Sequence, residues 1–138
     1  MSVTTLTTPV VTDISPAGSV NSTSVSVFSS VVDLRTALQS LLTFSLNTGT
    51  APTSQCVANI LYYHSASGTP PTAASSTTGA TGWKTLYSVG SGIVASTNNP
   101  FNYRPPSGGY LCIEFTQSGT NTVTCEAFIT VIPSATSV

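Results

Sequence analysis

Apolar and polar positions alternate along much of this 138-residue chain. Over residues 55–64, Cys56, Ala58, Ile60 and Tyr62 share one parity, and Val57, Asn59, Leu61 and Tyr63 take the other. A period of two is the repeat of an extended strand, whose successive side chains point to opposite faces. Apolar residues on both parities mark this strand as central and covered on both sides. Over residues 110–117, Leu111, Ile113 and Phe115 fall on one face. Over residues 122–132, Val123, Cys125, Ala127, Ile129 and Val131 point inward, and Thr122, Thr124, Glu126 and Thr130 point outward. Residues 118–121 include Gly119 and read as a hairpin turn between these two strands. Glu114 and Glu126 would then stand on neighbouring strands as outward, solvated side chains.

The remaining segments carry weaker periodicity. Residues 22–32 alternate, with Val25, Val27, Ser29 and Val31 on one parity. Leu34, Leu38, Leu41 and Leu42 recur at helical spacing, yet Leu42, Phe44 and Leu46 alternate with Thr43, Ser45 and Asn47. The reading is a short turn or kinked connection, then a strand over about 40–47. Residues 65–82 have no apolar period and predict a long loop, a length usually associated with function or disorder. Strands are expected over 83–89 and briefly over 93–95, with a turn at 98–100. Pro105, Pro106, Gly108 and Gly109 make 101–109 a turn-rich connection. Residues 1–20 form a Thr/Ser/Pro-rich arm, partly extended, with an apolar patch at Val10, Val11 and Ile14. Residues 134–138 are a short tail. The pattern predicts an all-β chain over 21–133, a single antiparallel β-sandwich of jelly-roll or Ig-like type with about seven or eight strands.

Composition changes the picture at the surface. Charged residues occupy 5% of positions and the formal net charge is −1, whereas 22 serines and 24 threonines carry hydroxyls. An ordinary soluble domain is about 25% charged. Such a surface repels its own copies weakly and suits close packing against protein. Arg35, Lys84 and Arg104 are the whole supply of basic side chains, too few for the phosphate neutralisation that nucleic acid requires. No apolar run approaches the length of a membrane span. The first ten residues lack the basic and apolar regions of a secretory signal, so synthesis and residence in a reducing cytosol are expected.

The residues of catalysis are sparse. His64, the one histidine, ends a strand and has no nucleophile motif beside it. Asp13, Asp33, Glu114 and Glu126 are the only acids. Glu114 and Glu126 could face each other across the hairpin, but directly opposed acids repel, so solvated positions are expected over a glycosidase pair. Cys56, Cys112 and Cys125 are widely spaced with no CxxC, which argues for buried apolar residues over a metal site. A bridge from Cys56 to either other cysteine would need their strands side by side. The expectation is no enzyme, no cofactor and no metal. Among the aromatics, Trp83 opens its strand and Tyr103 lies in a Pro-flanked loop, making them the better surface candidates.

The order of segments carries a resemblance. Asp33-Leu34-Arg35 precedes a strand ending Leu46-Asn47-Thr48-Gly49. Pro52-Thr53, an apolar strand, a polar loop and Trp83-Lys84-Thr85-Leu86 follow, then Phe101-Asn102-Tyr103-Arg104 and a C-terminal strand ending at Ile132. Over roughly residues 20–132 this layout resembles the small β-sandwich head decoration (cement) proteins of tailed bacteriophages. The resemblance implies binding to the major capsid protein on the capsid exterior, commonly as a homotrimer, to brace neighbouring capsomers. On that reading the arm, with Val10, Val11 and Ile14, and one sheet edge contact capsid protein. Arg35, Trp83, Tyr103 and Arg104 complete the interface candidates, with an intramolecular acid as the alternative partner for each arginine. The rival function is a phage tail or fibre module binding host glycans through Trp83, Tyr103 and the 65–82 loop.

Overall fold

The computed structural model describes residues 4–5, 8–21, 25–64, 82–95, 98–133 and 136–137. Among the described residues eleven strands run in chain order: β1 (Thr4–Thr5), β2 (Val10–Asp13), β3 (Ser26–Phe28), β4 (Val32–Asp33), β5 (Ala37–Asn47), β6 (Val57–Tyr63), β7 (Lys84–Gly90), β8 (Asn98–Tyr103), β9 (Tyr110–Thr116), β10 (Thr124–Pro133) and β11 (Thr136–Ser137). Among the described residues there is no helix. One antiparallel sheet has the order β2-β10-β5-β8; the other has β3-β9-β6-β7, with β4 also on β9. The all-β sandwich expected from the periodicity is what the chain forms.

The two sheets bury one another's alternate residues. Leu42, Phe44 and Leu46 from β5, and Cys125, Ala127 and Ile129 from β10, meet Ala58 and Ile60 from β6 and Leu111, Ile113 and Phe115 from β9. Each of these eleven side chains is buried. Fully burying a Leu, Ile or Phe side chain is worth roughly 1.5–3 kcal/mol, so this layer is the main source of stability. Phe44 stacks on Phe101 at 5.3 Å across the β5–β8 pair. At the far edge Tyr87 of β7 stacks on Tyr103 of β8, with centroids 5.3 Å apart and rings within 2° of parallel. That pair closes the sandwich between edge strands of the two sheets.

A second, smaller cluster lies on the opposite face of the five-stranded sheet: Leu61, Trp83, Tyr110 and Cys112, with Phe28, Val31 and Tyr63 against it. Its residues alternate with the inward ones on β6 and β9. The two-sided apolar pattern of residues 55–64 therefore has a physical counterpart. β6 lies between β7 and β9 and is covered on both faces.

Several segments depart from the sequence reading. Residues 118–121 do not close a hairpin. β9 and β10 belong to different sheets, and the connection carries the chain across the sandwich. Both strands have one apolar parity, and facing sheets satisfy that pattern as well as neighbouring strands do. Asn121 takes a left-handed φ of 69° at the crossing, a conformation asparagine tolerates better than most residues. Gln117 Nε2 donates to the carbonyls of Val20 and Asn121 and ties the crossing down. Glu114 and Glu126 are thus on opposite sheets, and Glu114 is buried, not solvated.

The helical spacing of the leucines at 34–42 is overridden by pairing with β10. After a turn at Arg35 and Thr36 the strand begins at Ala37, three residues earlier than read. Residues 98–103, read as a turn and the start of a connection, form strand β8. Pro100 is tolerated there because β8 is an edge and needs no donor on its free side. Residues 93–95 form no strand. The alternating run over 25–32 is interrupted at Ser29–Val31, so β3 and β4 join β9 separately.

Residues 10–20 are not a free arm. Val10–Asp13 pair with β10, Ile14 enters the core and Val20 bridges to Val123. β1 pairs with β11 in the same register as β2 with β10. Stepping six residues outward from Val10↔Val131 on both strands gives Thr4↔Ser137. The loop read at 65–82 lies, except for Gly82, outside the described residues.

Candidate functional site

The outward face of the four-stranded sheet is hydroxyl- and amide-rich at one end and apolar at the other. Cross-strand rows can be read from the register: Thr124–Asn47–Asn98, Glu126–Ser45–Pro100, Asp13–Phe128–Thr43–Asn102, and Val11–Thr130–Leu41. Val11 is 65% exposed and Phe128 38%, and Leu41 and Ile132 are half-buried beside them. A shallow cleft of about 210 Å³ opens at this end, lined by Pro9, Gln39, Leu41, Arg104, Thr130 and Ile132. Arg104 is exposed at its mouth. The apolar end runs directly into β2, whose four residues are all exposed.

The interface candidates named from sequence divide into three groups. Val10 and Val11 lie together on the β2 edge, exposed at 53% and 65%. Arg104 stands nearby at the cleft. Ile14 and Trp83 are corrections: they are 3% and 2% exposed and offer no contact surface. Ile14 follows the last β2 residue on the inward parity. Trp83 is drawn under the outer cluster, its ring 5.6 Å from Tyr63. An indole at the start of a strand is apolar enough to be pulled in from either side.

Arg35 and Tyr103 are both engaged within the chain. Arg35 donates from Nε to Asp33 Oδ1 at 3.0 Å and from Nη2 to Asp33 Oδ2 at 2.8 Å. Its guanidinium also sits 5.0 Å from the Tyr110 ring centroid. Asp33 is held below its ordinary value chiefly by the Arg35 hydrogen bond, and Arg35 is correspondingly raised. Tyr103 is half-buried in its stack with Tyr87.

Asp13 ends β2, and its carboxylate turns back to accept from the Ser15 backbone N–H at 2.9 Å. Hydrogen bonding to Ser15 lowers its pKa. Glu114 lies on the outer face of the five-stranded sheet, where Asn59 Nδ2 donates to it at 3.0 Å and Ser88 Oγ donates to Asn59 Oδ1 at 2.6 Å. The three cysteines are free thiols and buried. Cys125 Sγ donates to the Val123 carbonyl at 3.7 Å, and its proximity to Cys56 raises its pKa and lowers that of Cys56, whereas burial pushes Cys112 up to about 11. Among the described residues no three of His, Cys, Asp and Glu come together as a metal site would require. No helix among them is long and apolar enough to cross a membrane.

Phe128 is a further exposed apolar residue of this face, absent from the candidates that the sequence offers. Its outward parity on β10 was legible beside Glu126 and Thr130, but an apolar side chain there does not fit a solvated face. Comparison of the chain with protein-family models, curated proteins and solved structures finds no match.

Proposed function

We propose that this chain is a structural virion protein that binds the outer surface of a tailed-phage capsid and stiffens it by bridging capsid subunits. The observation that carries the reading is the continuous uncharged surface formed by the β2 edge and the apolar end of the outward sheet face. Val11, Phe128, Leu41 and Ile132 lie along it, Val10 is exposed on the other face of the β2 edge, and Asp13 (its carboxylate folded back on Ser15), Glu126 and Arg104 are the charges at its border. A surface of this kind gains little from long-range steering. It gains from close apposition to another protein, through apolar burial.

The low charge of the whole chain supports the same reading, since many copies packed on one particle repel one another little. On this proposal the major capsid protein is the partner, copies associate with one another, and no catalysis is involved. The tail or fibre alternative rests on Trp83, Tyr103 and the 65–82 loop; Trp83 is interior, Tyr103 is half-buried, and the loop, except for Gly82, lies outside the described residues.

The test is thermal stability of purified capsids with and without the protein, alongside its stoichiometry on the particle. Raised capsid stability with saturable outer sites is expected. Absence of binding to capsids would overturn the proposal.

A further inference from the structure

We infer that β2 is a self-pairing edge: two copies of this chain join β2 to β2 about a two-fold axis, making one continuous eight-stranded sheet. Exposed edges are usually protected by proline, lysine, bulges or interruptions, because their unpaired N–H and C=O groups invite another strand. Three of the four sandwich edges carry such a device. β8 has Pro100 at its centre. β7 begins at Lys84 and has a register shift where it faces Ile60 and Leu61. The β3/β4 edge is interrupted between Phe28 and Val32. β2 has no proline, lysine or bulge within it, its one charge, Asp13, folds back onto the Ser15 N–H, and among the described residues its second side pairs with nothing.

The direction of its free groups follows from one bond. Ile14 N–H donates to the Ala127 carbonyl at 2.9 Å, within the β2–β10 register. Main-chain groups alternate sides along a strand, so those of Thr12 and Val10 also face β10. The N–H and C=O of Val11 and Asp13 therefore point out from the edge.

Those four groups select a register as well as a partner. With Thr12 opposite Thr12 of the second copy, Val11 pairs with Asp13 in both directions, and every free group is matched in four hydrogen bonds. Centring the axis on Val11 would place Pro9, which has no N–H, opposite Asp13. Centring it on Asp13 would set two carboxylates face to face, which is unfavourable. The edge is complementary to itself in one register. The net charge of −1 adds little repulsion between copies, and the apolar ends of the two outward faces become neighbours through Val11.

The pairing involves a short strand and is expected to be weak and concentration-dependent. Sedimentation or light scattering on the isolated protein should show mass rising from 14.1 kDa towards twice that value between roughly 10 µM and 1 mM. Val11→Lys should hold the mass at the monomer value over the same range, with an unchanged melting temperature, since Val11 is exposed and its main chain does not serve β10. Thr12→Cys should form a covalent dimer under oxidised glutathione, because a non-hydrogen-bonded antiparallel pair places Cα atoms about 4.5 Å apart, within disulfide reach. Thr124→Cys, exposed but remote from the edge, is the control and should stay monomeric. A wild-type mass that stays at one chain, or a Thr12→Cys protein that cross-links no faster than Thr124→Cys, overturns the inference. Because no capsid enters this experiment, its outcome is separable from that of the capsid proposal.

Discussion

At the scale of single residues, the most consequential side chains are those in the second cluster, where a sheet face that would ordinarily meet water is apolar and closed. Trp83 is its largest member. Truncating a buried Trp to Ala typically costs about 3–5 kcal/mol, so Trp83→Ala should lower the denaturation midpoint by an amount of that order in a urea titration. As the one tryptophan, it should also emit at blue-shifted wavelengths in the native protein and shift red in a single transition on unfolding. The thiols give a second check. Cys112 is pushed up to about 11 by burial, so its folded value lies above its unfolded one. The stability this difference contributes is present below pH 9 and is lost as pH rises towards 11. A chromogenic disulfide reagent at pH 8 should leave all three cysteines unlabelled until denaturant is added, because they are buried. The sequence pointed to buried cysteines through their small apolar side chains and the lack of any CxxC pair, although Cys112 lies on the outer parity of β9. It could not place Trp83 or Glu114, since whether a strand face is covered depends on elements distant along the chain.

Among the elements, strands with one clean apolar parity were legible and their partners were not. β6, β9 and β10 sit where alternation put them, because period two encodes which side chains are buried whatever the neighbour is. Alternation does not say whether two consecutive strands lie in one sheet or face each other across a core, and the Ser-Gly-Thr-Asn turn serves both. That is why the connection after β9 read as a hairpin and is a crossing. β8 was hidden by Pro100, which signals a turn in a central strand but is permitted on an edge. β2 was hidden by the Thr/Ser/Pro texture around it, since four residues are too few for a period to stand out. The main-chain directions assigned to β2 have their own test in amide hydrogen exchange by NMR. Thr12 should be protected by the β10 ladder, and Val11 and Asp13 should exchange rapidly in dilute solution. Equal protection of all three would contradict the assigned alternation.

For the molecule as a whole, two features combine: an interior with the apolar content of an ordinary sandwich, and a surface almost without charge. The first gives a self-sufficient fold. The second removes the usual means by which a soluble protein keeps other protein at a distance. The sequence carried this surface property openly in its composition, together with part of the proposed contact surface in Val10, Val11 and Arg104. The rest of the site, Phe128 and the cleft, appears only once β2, β10 and β5 are side by side. The central claim is that this surface binds and stiffens a capsid shell. The most direct measurement is the melting profile of purified capsids, first stripped of the protein and then re-supplied with it. The account predicts a higher melting temperature on re-addition, saturating at a fixed number of copies per particle. An unchanged profile with no bound protein would contradict it.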